Sequence, residues 1–380
     1  MRVEVKPKLL RWARERAGLS PAVLAKRFPL LSAWETGDAH PTLKQLEKFA
    51  KATYAPIGVL FLTDPPPSDQ IPIPDFRTVG NRHVERPSPD LLDTVYICQQ
   101  RQEWYRDFAR AEREDPLSFV GSIATSENVE TAATRIRTAL GFEVEARREM
   151  PTWSEALRRF IGQADSAGIL VMVSGVVGSN NRRKLDPDEF RGFALADDLA
   201  PLVFINGSDS KSAQMFTLAH ELAHIWLGQS ALSDVGPASA PSNDIEKWCN
   251  RVAAELLVPL AALRQEYNRR APLRAETVRL ARVFKVSTLV VLRGIHDVGG
   301  LTREEFWLEY DEELGRLVAI KAGGGGDFYL TLAVRVSKRF ARALVVSTLE
   351  GQTLYTDTFR LLGFSKLATF RELGQSLHVG

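Results

Sequence analysis

The sequence predicts an α+β fold that is mostly α. It has a helix-turn-helix at the N-terminus, a small antiparallel sheet in the central domain and a helical C-terminal region. Three observations lead there. Apolar residues recur at helical spacing, with capping signals, over most of the chain. Three strand-like runs rich in β-branched and aromatic residues lie between 168 and 207. A proline-rich stretch, "TDPPPSDQIPIPDF" (63–76), separates the first helices from the rest, because proline continues neither a helix nor a central strand.

The elements follow in order. "KPKLLRWARERAGLS" is helical and stops at Gly18; "SPAVLAKRF" restarts with Ser20 as N-cap and Pro21 at the first helical position. "PTLKQLEKFAKA" opens with Thr42 and Gln45 placed as a capping box. Residues 1–62 therefore read as short helices with tight turns, the helix-turn-helix pattern. Residues 63–118 hold the linker and a long helix from 88 to 114. A central domain, 119–300, contains a helix closed by Gly141, the helix "WSEALRRFIGQAD", and three strands, "GILVMVSGVV", "FRGFALAD" and "PLVFING". Two more helices follow, and residues 275–298 look like a second helix-turn-helix. Residues 301–380 read as helical.

Composition bounds the function. Apolar residues make up 44% of the 380 and charged residues 25%, enough for a packed core. The two cysteines, Cys98 and Cys249, give no disulfide framework and point to a reducing compartment. No signal peptide is visible, and the longest apolar runs are too short to span a bilayer. The expectation is a cytoplasmic protein with no membrane partner. Net charge is only +2, but residues 1–62 hold eleven Lys and Arg against five Asp and Glu. Such a basic module can lie on phosphate, with Lys26, Arg27 and Lys44 as candidate DNA contacts.

The chemistry concentrates in "FTLAHELAHIWLG" (216–228). Residues four apart share a helix face, so His220 and His224 can point ring nitrogens at one metal ion. Glu221 sits about 100° round the helix. There it can serve a metal-activated water as general base without being a ligand. A catalytic zinc wants three protein ligands and one open position. Asp234, Asp244, Glu246 and Glu255 are candidates for the third. Glu246 is the best choice, because Asn250 stands one turn on and can hold a ligand histidine through its other ring nitrogen. Glu255, nine residues later, faces away.

These residues carry a resemblance. "MFTLAHELAHIWLG" followed by "EKWCNRVAAELLVP" resembles the ImmA/IrrE family of bacterial zinc metallopeptidases. Residues 24–78, ending in "PDFRT", look like the N-terminal half of its long members, where a Cro/C1-type helix-turn-helix precedes the peptidase. "RQEWYRDF" and "GGGGDFYLTLAVRVSKRFARALVVS" are also similar to that subgroup. The resemblance implies a gluzincin-like metallopeptidase with Zn2+ on His220, His224 and Glu246 and with Glu221 as general base. It also implies a protein substrate of the helix-turn-helix repressor kind, in stress or DNA-damage responses. The N-terminal module departs from the pattern. Only eight residues, "KRFPLLSA", separate "LA" from "WE", about one helical turn fewer than such modules carry. That turn normally reaches base edges, so non-specific or single-stranded DNA binding is the expectation.

Other residues complete the reading. Trp104, Tyr105 and Phe108, with Arg101 and Arg106, form either a stacking platform for single-stranded nucleic acid or the packed face of a helix. Arg101 is kept as a DNA candidate. Cys249 reads as a packing residue and "GGGG" (323–326) as a hinge. An oxyanion donor is required, and Tyr267 and Tyr329 are candidates. The exposed linker makes self-cleavage a further expectation. The competing reading is a transcriptional regulator or antitoxin-like protein that keeps the peptidase fold as sensor or scaffold.

Overall fold

The computed structural model describes residues 2–66, 71–75, 87–233, 243–319 and 333–379. Tyr329, Asp234 and the glycine run 323–326 lie outside the described residues. Helices take 59% of the chain, with one small sheet, so the fold class is α+β and mostly α. The chain divides into two compact units. One is built from residues up to Pro72 plus the start of the long helix up to Val95; the other is built from the remainder.

The first unit carries α1 (Pro7–Arg16), α2 (Pro21–Ala25), α3 (Leu31–Thr36) and α4 (Leu43–Thr53), then a 3-10 turn (Ile57–Phe61). Ser20 caps α2 with Pro21 at its first position. Thr42 and Gln45 form the reciprocal box that starts α4. Leu9, Leu10, Trp34, Leu46 and Phe49 close a core between these helices. The shortened spacing is realised as α3 of six residues, which ends at Gly37 in the left-handed region.

The second unit contains most of α5 (Pro89–Ala111), then α6 (Val129–Leu140), α7 (Val144–Arg148) and α8 (Trp153–Ser166). Strands β1 (Leu170–Ser174), β2 (Gly192–Leu195) and β3 (Leu202–Asn206) lead to α9 (Lys211–Leu227) and β4 (Ala231–Ser233). Helices α10 (Asp244–Leu257), α11 (Leu260–Glu266), α12 (Leu273–Phe284), α13 (Thr288–Asp297) and α14 (Arg303–Ala319) follow. The described chain closes with α15 (Lys338–Leu349), α16 (Tyr355–Leu362) and α17 (Leu367–Ser376). No helix among the described residues is long and apolar enough to cross a membrane.

The sheet order is β1-β3-β2-β4 and the sheet is mixed, not purely antiparallel. β2 runs antiparallel to both β3 and β4, whereas β1 and β3 are parallel. The chain leaves β1, turns back as β2 and inserts β3 between them. Side-chain alternation carries no record of that order, so the strand pattern alone could not supply it. The continuous apolar run of β1 fits a strand covered on both faces, and α8 and α15 both pack against it.

Helix α9 is the axis of this unit. Ser210 caps its start by accepting from the Ala213 N–H, and Gly228 ends it at φ 67. Helices α8 and α10 and strands β2 and β3 pack round it. Its residues from Gln214 to Trp226 are all buried. The two helices of the second helix-turn-helix-like segment, α12 and α13, are joined by a three-residue turn with Lys285 left-handed. α13 buries Leu289 to Leu292, Gly294 and Ile295. It is a core helix with no face free to enter a nucleic-acid groove.

Candidate metal centre

The long buried helix α9 places His220 and His224 one turn apart on the side facing α10. Helix α10 is capped by Asn243, whose side chain accepts from the Ile245 N–H. Its first turn therefore holds Glu246 opposite the two rings. The Nε2 atoms of His220 and His224 stand 3.0 Å apart. Glu246 Oε2 lies 3.2 Å from His220 Nε2, and Oε1 lies 2.9 Å from His224 Nε2. A tetrahedral zinc with bonds of about 2.0–2.1 Å keeps its ligand atoms about 3.3 Å apart. Two ring nitrogens and a carboxylate converging at such distances fit a shared cation. Among the described residues these three are the one such cluster of His, Cys, Asp and Glu.

The supporting groups set the tautomer and the charge. His220 Nδ1 lies 3.0 Å from Asn250 Oδ1, one turn along α10 from Glu246. An Nδ1–H donated there leaves the Nε2 lone pair aimed at the cluster. Burial works against ionising Glu246, but the two histidines outweigh it and hold its carboxyl well below the usual carboxylate range. Burial lowers the pKa of His224, which favours the neutral ring a metal ligand must be.

Glu221 is wholly buried, and its carboxylate has no close hydrogen bond, the nearby Ser233 hydroxyl being the one group that favours its charge. Burial, with the charge of Glu246 adding to it, raises its pKa well above the usual value. A carboxylate left poorly satisfied in the interior costs stability, and groups perturbed in this way cluster at sites of chemistry. β2 comes close to it. A Cβ at Gly192 would lie 3.2 Å from Glu221 Oε1 and only 2.5 Å from Thr217 Cγ2. Only glycine lets this strand approach the helix so closely. Ser233, on β4, donates its hydroxyl to Glu246 Oε1 at 3.4 Å.

Residues 164–296 match the family model of the IrrE N-terminal-like domain, a peptidase family. The matched stretch holds the four strands, α9, α10 and every member of the cluster. It supports a metallopeptidase-type fold there and agrees with the ImmA/IrrE resemblance over this part of the chain. Residues 336–376, which include α15 to α17, match a family model described only as a domain of unknown function. No curated protein matches the chain.

The remaining sequence-derived residues fall elsewhere. Asp244 is exposed and paired with Lys247. Glu255 accepts from the Leu260 N–H at 3.1 Å and so caps α11. Cys249 is buried in the core. Tyr267 ends α11 with its ring against Gly300. Lys26, Arg27 and Lys44 are on the surface of the first unit.

Arg101 requires correction as a DNA contact. It is buried, and its Nε donates to the Leu361 carbonyl at 2.9 Å. The aromatic residues beside it pack inward too. Tyr105 is buried and its hydroxyl accepts from Arg339, while Trp104 stacks on Phe108 and meets Phe340 edge-on. The helix needed that face for its own packing. Gly192 and Ser233 are site residues that the sequence reading passed over. A lone glycine at the head of the run "GFAL" was a usable signal of close approach; nothing in three-residue β4 marked Ser233.

Proposed function

We propose that this protein is a zinc endopeptidase that hydrolyses a peptide bond in a regulatory, repressor-like protein or in itself. The observation that carries the reading is the convergence of His220, His224 and Glu246 beside a buried Glu221. His220, His224 and Glu246 would hold a zinc ion, which would supply Lewis acidity toward the scissile carbonyl and the attacking water. Asn250 fixes the His220 ring. Glu221 takes the proton of the attacking water and delivers it to the leaving amine. The apolar residues of α9 and the sheet keep bulk water away, which strengthens every electrostatic contact in the site.

Two measurements test this. Metal analysis after zinc loading and desalting is expected to give one equivalent for the wild type and for Glu221→Gln, and loss of that equivalent in His220→Ala. Cleavage of a casein or repressor substrate is expected to fall about 10²–10⁴-fold in Glu221→Gln. Full activity in that variant sinks the mechanism. Absence of metal in the wild type sinks the reading.

Gating by DNA is part of the proposal. It is supported by the excess of basic residues in 1–62 and by the surface positions of Lys26, Arg27 and Lys44. The six-residue α3 favours backbone contact over base reading. Equal cleavage rates with and without single- and double-stranded DNA would remove gating and leave the peptidase.

A further inference from the structure

β4 is the edge strand of the sheet, and the chain's own residues 73–75 lie along its outer side. Ala231 and Ser233 pair with Ala194 and Gly192 of β2, with Leu232 opposite Phe193 between them. The Leu232 N–H turns outward and donates to the Pro74 carbonyl at 2.9 Å. Asp75 bridges Leu232 in the parallel sense.

This edge leads directly to the metal centre. Ser233, the next residue, touches Glu246, and its partner Gly192 is the residue whose missing Cβ leaves room beside Glu221. The parallel segment runs toward that end of β4. His220, Glu221 and His224 have 0% exposure and Glu246 has 3%. A site that hydrolyses a polypeptide has to admit one. An extended peptide docks on a sheet by pairing with edge main-chain groups, and here the outward N–H of the edge is already taken.

We infer that residues 73–75 occupy the edge on which an extended peptide substrate pairs, and that a substrate must displace them to reach Glu221; this rests on the peptidase reading above. The occupant is built to be displaced. Pro74 has no N–H and gives β4 an acceptor but no donor. Ile73 is its buried apolar side chain, set between two exposed neighbours, Pro72 and Pro74. A passing chain with an N–H at the equivalent position pairs more fully. Because occupant and substrate compete for one edge, the occupant lowers apparent substrate affinity by the fraction of molecules in which the edge is open.

The test uses full-length, zinc-loaded protein and labelled β-casein as the unfolded probe. Ile73→Asp removes that buried apolar side chain; Ile73→Ala does so more gently if the first variant fails to melt cooperatively. Hydrogen exchange of the Leu232 amide and the steady-state constants for casein are measured in each. The expected result is Leu232 exchange faster by about tenfold or more, with kcat/KM raised through KM and kcat unchanged. Faster exchange with unchanged kcat/KM overturns the inference, as does Leu232 exchange that stays at the wild-type rate in both variants. If no form cleaves casein with or without single- and double-stranded DNA, the peptidase reading fails on its own account, and casein binding to the Glu221→Gln background by anisotropy decides. Tighter binding when Ile73 is also replaced upholds the competition; equal binding, or none, overturns it.

Discussion

Asn250 determines which nitrogen of His220 faces the cluster, since its Oδ1 stands 3.0 Å from Nδ1. Removing such a partner typically costs 10–100-fold in metal affinity. Asn250→Ala is therefore expected to weaken zinc binding by about that factor in a chelator competition, with the fold unchanged by circular dichroism. Gly192 acts through space, not charge. A Cβ there meets Thr217 Cγ2 at 2.5 Å and the Phe204 carbonyl oxygen at 2.8 Å, and neither can move freely. Gly192→Ala is expected to destabilise the domain by about 1–3 kcal/mol. It is also expected to reduce cleavage more than zinc occupancy, because it displaces Glu221. Normal melting and activity in that variant would show that β2 yields more easily than its contacts imply.

Helix α9 carries two ligands and the base, so its start matters. The Ser210 hydroxyl accepts from the Ala213 N–H at 3.2 Å, one of the four N–H groups a helix leaves unpaired at its start. Ser210→Ala is expected to cost about 1 kcal/mol, read as a lower unfolding midpoint. Zinc affinity should hold, because His220 lies more than two turns downstream. A large loss of affinity would instead mean that the whole helix, not its first turn, depends on the cap. Helix α15 is fixed differently. Asp165 on α8 accepts from the Ser337 hydroxyl and the Arg339 N–H, which ties the start of this C-terminal helix to the helix beside the sheet.

Across the second unit, one buried charge stands out against the packing. Arg147 is completely buried, and its Nε and Nη2 have no hydrogen-bond partner. Nη1 donates to the Phe284 carbonyl, and the guanidinium lies 4.7 Å from the Phe142 ring centroid. Burial, with Arg137 adding to it, pushes its pKa down to about 9. Replacing buried charged groups by well-packed apolar residues of similar volume is often neutral or stabilising. Arg147→Met is expected to raise the melting temperature, and a fall would show that the Phe142 and Phe284 contacts outweigh desolvation.

What the sequence determined by itself was local. The spacing of His220 and His224, the caps at Ser20 and Thr42, the glycine stop at 141 and the apolar runs of the strands all follow from residues within a few positions of one another. Helical and strand periods are short-range, so these features were legible. Glu246 and Asn250 could be singled out for the same reason, since one turn of helix relates them to each other. Only the tertiary structure decided that both face His220, that β3 inserts between β1 and β2, and that Arg101 turns inward to Leu361. It alone placed Gly192 beside Glu221, Ser233 beside Glu246, and residues 74–75 along β4 at Leu232. Those contacts reach across 158 positions between Pro74 and Leu232 and 260 between Arg101 and Leu361. They depend on which faces meet when the elements pack, and no local pattern records that.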